Sequence, residues 1–166
     1  GGNDWIYGKG GDDRIQGDDE NDYLFGGEGF DLILGNAGND HLRGGGGADR
    51  LFGGANSDYL DGDYGLDELW GDTDAPGGAA TDAGNDDLVS SFGDDILYGE
   101  GAEDTFTVNF IGGDTDRLVR TIDTEGAGDS LVVNGSVEVW YENPGDEFSK
   151  AFLEGSAPDS GSTAPG

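Results

Sequence analysis

The sequence predicts an all-β solenoid in which each repeating unit is one turn and one strand, and three observations lead there. Gly26 to Phe52 reads GGEGFDLIL, GNAGNDHLR, GGGGADRLF: three units of nine with glycine at the first and fourth places, aspartate at the sixth and an aliphatic residue at the eighth. Counted outwards in nines, the sixth place is Asp4, Asp13, Asp22, Asp31, Asp40, Asp49, Asp58 and Asp67, and after a gap of nineteen it resumes with Asp86, Asp95 and Asp104. The eighth place is Ile6, Ile15, Leu24, Ile33, Leu42, Leu51, Leu60, Leu69, Leu88, Leu97 and Phe106, so eleven units agree at both places. A unit this short has to bury its apolar residue by stacking on its neighbours.

Composition sets the bounds. The 166 residues suffice for one domain, or a solenoid with a cap. With 37 acidic against 7 basic residues, the net charge of −30 opposes nucleic acid and anionic membrane surfaces, and the natural partner of such a surface is a cation. The chain has no cysteine, which removes disulfides and thiolate metal sites and disfavours soft metals. No stretch approaches the ~20 apolar residues of a membrane span. No secretory hydrophobic region opens the chain and it has no methionine, so the expectation is a chain that begins inside a longer protein or has been processed. The 35 glycines and the charge alone would read as disorder. A disordered tract, however, has no reason to keep aspartate and an aliphatic residue two apart at fixed nines.

The units resemble the RTX, or hemolysin-type, calcium-binding nonapeptide GGxGxDxUx over roughly residues 1–107. The resemblance implies a right-handed parallel β-roll, with six residues in a calcium-binding turn and three in a short strand. Two units then complete a coil, and turns eighteen residues apart stack on one edge. It also implies metal ligands: the eleven sixth-place aspartates, with the turn residues Gly26, Gly27, Glu28, Gly29, Gly35, Asn36, Ala37, Gly38, Gly44, Gly45, Gly46, Gly47, Gly53, Gly54, Ala55 and Asn56, for about nine Ca2+ ions or fewer. The residue types suit that chemistry. A turn that aims several carbonyls at one point needs left-handed or otherwise restricted dihedrals, which glycine adopts without penalty. Ca2+ takes six to eight oxygens at about 2.3 to 2.6 Å from carboxylates and carbonyls. Without the ion, carboxylates stacked at about the 4.8 Å strand spacing repel by roughly 3 kcal/mol per gap at an effective dielectric near 20. Summed over about nine gaps, this exceeds a usual stability of roughly 5 to 15 kcal/mol, so the metal-free roll is not expected to form.

Taken in order, Gly1 to Tyr7 is the tail of a unit, and calcium sites at this end are expected to be weak or incomplete. Gly17 to Phe25 puts Glu20 at the fourth place and adds Asp18 and Asp19, whose carboxylates are expected to face solvent rather than distort the turn. Asn56 tolerates the left-handed conformation at that place, so Gly53 to Asp61 is expected to bind; Ala102 is a poorer substitute and suits a terminal turn. A ten-residue insertion breaks the period at about 72–82, after which register resumes, as for a loop bulging from one edge. Asp72, Asp74 and Asp82 either hold an extra ion there or form a solvated acidic loop.

Strand alternation faces the seventh and ninth places outwards. Trp5 with Tyr7, Leu32 with Leu34, and Trp70 are candidate contacts for another domain or subunit; packing along the ladder is the alternative. His41 reads as a surface residue rather than a ligand. From Val108 the nonapeptide register is lost, and DRLVRTI, DSLVVNG and SVEVWYE read as strands of a small β cap over 108–154. Asp114, Asp116, Asp123 and Asp129 are secondary metal candidates. Glu147 to Glu154 reads as a last strand or short helix, and 155–166 as a flexible tail.

Catalysis has no support in the sequence: there is no HExxH, GxSxG or Walker loop, and one histidine in all. The expected function is a calcium-binding module that folds on export, by a type I system as the resemblance implies, and stabilises a secreted bacterial protein. The alternatives are a structural subunit of a calcium-dependent extracellular assembly (surface layer, adhesin or fibre), and the non-catalytic C-terminal part of a secreted protease, lipase or polysaccharide epimerase.

Overall fold

The computed structural model describes residues 1–73, 83–109, 119–122, 129–134, 137–142 and 149–153, and in these it is all strand and turn. One sheet is built from β1 (Trp5–Gly10), β3 (Tyr23–Glu28), β5 (His41–Gly47), β7 (Tyr59–Gly65), β9 (Asp87–Ser90), β11 (Thr105–Asn109) and β13 (Ser130–Asn134), in that spatial order. The other runs β2 (Arg14–Asp19), β4 (Leu32–Ala37), β6 (Arg50–Ala55), β8 (Glu68–Trp70), β10 (Ile96–Tyr98), β12 (Val119–Ile122), β14 (Val137–Glu142) and β15 (Ser149–Leu153). Successive strands alternate between the sheets, so every pairing skips one unit and is parallel, except the antiparallel β14–β15 pair at the end. This is a parallel β-roll.

Register follows from the eighth place. Leu24 pairs with Leu42 and Ile33 with Leu51; across the insertion Leu60 still pairs with Leu88 and Leu69 with Leu97. A slip by one residue would turn each aliphatic side chain to the outside, which fixes the pairing. Ile15 to Phe106 of the eighth-place row form one buried core between the sheets, with Val108 added and Ile6 and Leu131 packed against it.

Two features differ from expectation. The strands β1 to β7 run six or seven residues instead of three, because pairing continues into the first half of each turn: Lys9 lies opposite Gly27 and Asn36 opposite Gly54. And the strands read as a separate cap join the same two sheets. Phe106 pairs with Leu131 and Thr121 with Tyr141, both in parallel, so the roll gains further coils before β15 closes one sheet. Asp74 and Asp82 of the insertion, Asp114, Asp116 and Asp123, and the tail lie outside the described residues.

Candidate metal centre

The turns that open at Gly8, Gly17, Gly26, Gly35, Gly44, Gly53, Gly62 and Gly99 have two left-handed positions, the second and fourth places, whatever residue stands there. Lys9, Asp18, Asn36, Asp63 and Glu100 take φ of 83°, 79°, 77°, 70° and 79° at the second place, and Glu20, Asn56 and Ala102 take 79°, 76° and 72° at the fourth. Glu20 therefore does not distort its turn, and Asp18, Asp19 and Glu20 are exposed as expected. The first-place glycine has a different reason. A Cβ on Gly44 would lie 2.5 Å from Asp49 Oδ2 and 2.8 Å from the Gly62 carbonyl oxygen; on Gly8 it would lie 2.5 Å from Asp13 Oδ2 and 2.6 Å from the Gly26 oxygen. At the first place glycine is required for space rather than for its dihedrals, which are not left-handed there. Only hydrogen leaves room there for a carboxylate oxygen and a carbonyl of the next coil to approach the same point.

The aspartates form a file along each edge. The amide of Asp22 donates to Asp40 Oδ1 and that of Asp40 to Asp58 Oδ1, both at 2.8 Å; on the other edge Asp31 donates to Asp49 at 2.8 Å and Asp49 to Asp67 at 2.9 Å. The first file continues from Asp58 through Asp86 and Asp104 to Asp129, whose Oδ1 accepts the Asp104 amide at 2.9 Å, and the second from Asp67 to Asp95. From Asp22 onwards one oxygen of each carboxylate is thereby satisfied. The other, Oδ2, is buried with no hydrogen-bond partner in Asp13, Asp22, Asp31, Asp40, Asp49, Asp58, Asp67 and Asp86. A buried carboxylate oxygen left unpaired is costly, and eight in two rows, seven of them beside a glycine carbonyl, call for cations.

Electrostatics gives the same answer. Burial first, and repulsion from the neighbours in the file second, push the Asp40 and Asp49 carboxyls from 3.8 up to about 6, against the backbone N–H bonds that favour the ionised form. Asp58 and Asp67 are pushed up to about 8 and Asp86 to about 9. With only the protein around them Asp58, Asp67 and Asp86 favour the protonated form at neutral pH, and a nearby divalent ion would favour the ionised one. The donors are all oxygen, and among the described residues no three acidic or histidine side chains converge, so carbonyls must complete each shell. That donor set fits Ca2+.

Four copies of the RTX calcium-binding nonapeptide repeat match residues 1–33, 25–60, 34–69 and 81–109. The chain belongs to the RTX repeat family. No curated protein and no solved structure matches it.

Within this RTX roll the expected ligands are not equivalent. The carbonyls of Gly26, Gly35, Gly44 and Gly53 converge with an Asp Oδ2. Those of Glu28, Gly46 and Ala55 already accept the amides of Gly11, Gly29 and Gly38, and the Asn36 and Asn56 side chains fold back on the carbonyls of Gly35 and Ala55. At the left-handed second place Gly45 stacks on Gly27 along one edge and Gly54 on Asn36 along the other, and at the fourth Gly47 stacks on Gly29 and Gly38 on Glu20; Ala37 is half-buried. Asp4 is exposed and Asp13 half-buried, while those from Asp22 to Asp104 are buried, so the file is frayed at its start. Asp95 departs from the pattern: Ser90 holds the first place, and its hydroxyl donates to Asp95 Oδ2.

Two features escaped the sequence reading. At the fifth place on one edge, side-chain oxygens of Asn21, Ser57 and Asn85 accept the amides of Asn39, Asn85 and Glu103 at 2.9, 3.0 and 3.3 Å. The signal was present as asparagine recurring at 3, 21 and 39, a period of eighteen hidden by counting in nines. The opposite edge instead exposes Phe30, Tyr64 and Leu66.

The outward residues need one correction. Trp5 and Tyr7 are exposed, at 61% and 55%, and Leu32 and Trp70 half-buried, but Leu34 is only 4% exposed and its ladder partner Phe52 fully buried. Leu34 does not face water, because it belongs to a packed row in which Phe52 stacks on Trp70 at 4.4 Å and Trp70 on Tyr98 at 5.0 Å. Trp5 likewise stacks on Tyr23 at 4.3 Å, and His41 on Tyr59 at 4.5 Å, where burial lowers the imidazole pKa.

Proposed function

We propose that this chain is a calcium-dependent folding and stabilising module of an exported protein, unfolded where calcium is scarce and folded outside the cell. The observation that carries the reading is the set of eight buried Oδ2 atoms without partners, since they set a large free-energy difference between the roll with and without cations. Its ligands in this reading are the sixth-place aspartates and the first-place glycine carbonyls. Folding is expected near the ~10⁻⁴ to 10⁻³ M calcium typical of extracellular sites. A calcium titration at neutral pH followed by circular dichroism and light scattering tests it: a cooperative gain of β signal in that range supports the module, and native-like β signal in excess chelator at that pH overturns it.

The role is structural rather than catalytic, and the host protein is extracellular or displayed at the cell surface. A second reading, a subunit of a calcium-dependent assembly, draws on exposed Trp5 and Tyr7 and on the apolar edge of Phe30, Tyr64 and Leu66. A native mass in calcium separates the two: a discrete monomer favours the module, open-ended growth the assembly.

A further inference from the structure

At the root of the insertion stand three oxygen-bearing side chains that the nonapeptide does not specify. Asp72 is fully buried at the second place of its turn; its Oδ1 accepts the Gly84 amide at 2.7 Å and its Oδ2 the Gly101 amide at 2.9 Å, tying the far end of the insertion to the next coil. Thr73 is 1% exposed, and its hydroxyl turns towards the Glu100 carboxyl without reaching full hydrogen-bond geometry. Glu100, left-handed with φ 79° in the turn of that next coil, is half-buried, and its Oε2 is also buried and unpartnered. The Thr73 hydroxyl lies beside the Glu100 carboxyl, and the Asp72 charge is felt by Glu100, Asp58 and Asp86.

Among the described residues the ion pairs are Arg43 with Asp63 and Arg50 with Glu68, so no arginine there neutralises this cluster. A buried carboxylate without a counter-charge is stabilised by a cation or a proton. The Thr73 hydroxyl favours the cation: buried and turned to the Glu100 carboxyl short of full hydrogen-bond geometry, it keeps lone pairs open to an ion, and all the donors are hard oxygens. We propose that Asp72, Thr73 and Glu100 hold a calcium ion additional to those of the nonapeptide turns, and that this ion fixes the insertion root against the last repeat. No third acidic side chain converges there among the described residues, so backbone carbonyls or water complete the shell.

The proposal rests on the calcium-module reading, and the test separates them. The full chain, Glu100→Gln and Thr73→Val are loaded with calcium and their bound ions counted by native mass spectrometry and calorimetry, with circular dichroism reporting the fold. Glu100→Gln keeps the shape of the protonated acid. One ion fewer in each folded variant is the expected result, and Thr73→Val keeps the test open if Glu100→Gln does not fold. An unchanged count in the folded variants overturns the extra site, with a proton then filling the gap, while the module reading stands. A parent chain that binds no calcium overturns the module reading itself, and the extra site with it.

Discussion

The amide of Asp31 donates to Oδ1 of Asp49 at 2.8 Å across one full coil, and Asp49 Oδ2 remains buried with no partner. One carboxylate thus serves both as a rung of the ladder and as an open donor for an ion. This double role makes the middle of the file the most sensitive part of the chain.

Asp49→Ala is accordingly expected to raise the calcium midpoint for folding far more than Asp4→Ala, which alters an exposed residue of the first coil. Loss of a charge-assisted bond of about 1.5 to 3 kcal/mol corresponds to roughly a ten- to hundredfold shift. Calcium titrations by circular dichroism check this, and equal midpoints for the two variants would rule out the stacked file.

The pH dependence of the metal-free chain has a definite sign. The carboxyls of Asp40, Asp49, Asp58, Asp67 and Asp86 have folded pKa values raised from 3.8 to between about 6 and about 9. Their contribution to the metal-free roll is therefore fully present below about pH 4 and lost as pH rises through 6 to 9. In chelator, β signal should be larger at pH 4.5 than at pH 8.5, with sedimentation used to keep aggregates apart. In calcium, protons compete for the same oxygens, so apparent affinity should fall from pH 8 to pH 5.5. A metal-free chain that gains structure as pH rises contradicts the assignment.

Ser90 fills the place that glycine leaves open in the neighbouring turns, and its hydroxyl satisfies Asp95 Oδ2. Asp95→Ala should then shift the calcium midpoint less than Asp67→Ala, whose Oδ2 has no partner. Ser90→Gly should restore the cradle and strengthen calcium binding. Isothermal calorimetry of the three variants decides; Ser90→Gly binding no better than the parent would show that the hydroxyl does not stand in for an ion.

Leu34→Ala should destabilise the calcium-loaded roll by about 2 to 5 kcal/mol, as for a buried leucine, whereas Leu32→Thr on the half-buried seventh place should cost less than about 1 kcal/mol. Thermal melts in saturating calcium measure both. If the two are equal, the packed outer row of Leu34, Phe52, Trp70 and Tyr98 contributes nothing beyond ladder propensity.

The sequence by itself determined the repeating architecture, the inward row and the file of buried aspartates, because a strict period of nine places Asp49 and Leu51, with their equivalents, at the same points of every coil. Even the insertion was legible, since Asp58 to Asp86 and Asp67 to Asp95 lengthen equally. What only the tertiary structure decided are relations between coils. A glycine's partner at the first place is a carboxylate five residues on and a carbonyl one coil away, which no local dihedral preference reveals. The asparagine ladder repeats by eighteen, the length of a coil, and so becomes visible only once two units are wound together. Leu34 sits in an alternating strand that reads as outward, and its burial depends on stacked side chains in the rows above it. The strands after Val108 lose the nonapeptide yet join the same sheets, because parallel pairing requires backbone and an inward apolar residue such as Leu131, not the calcium turn.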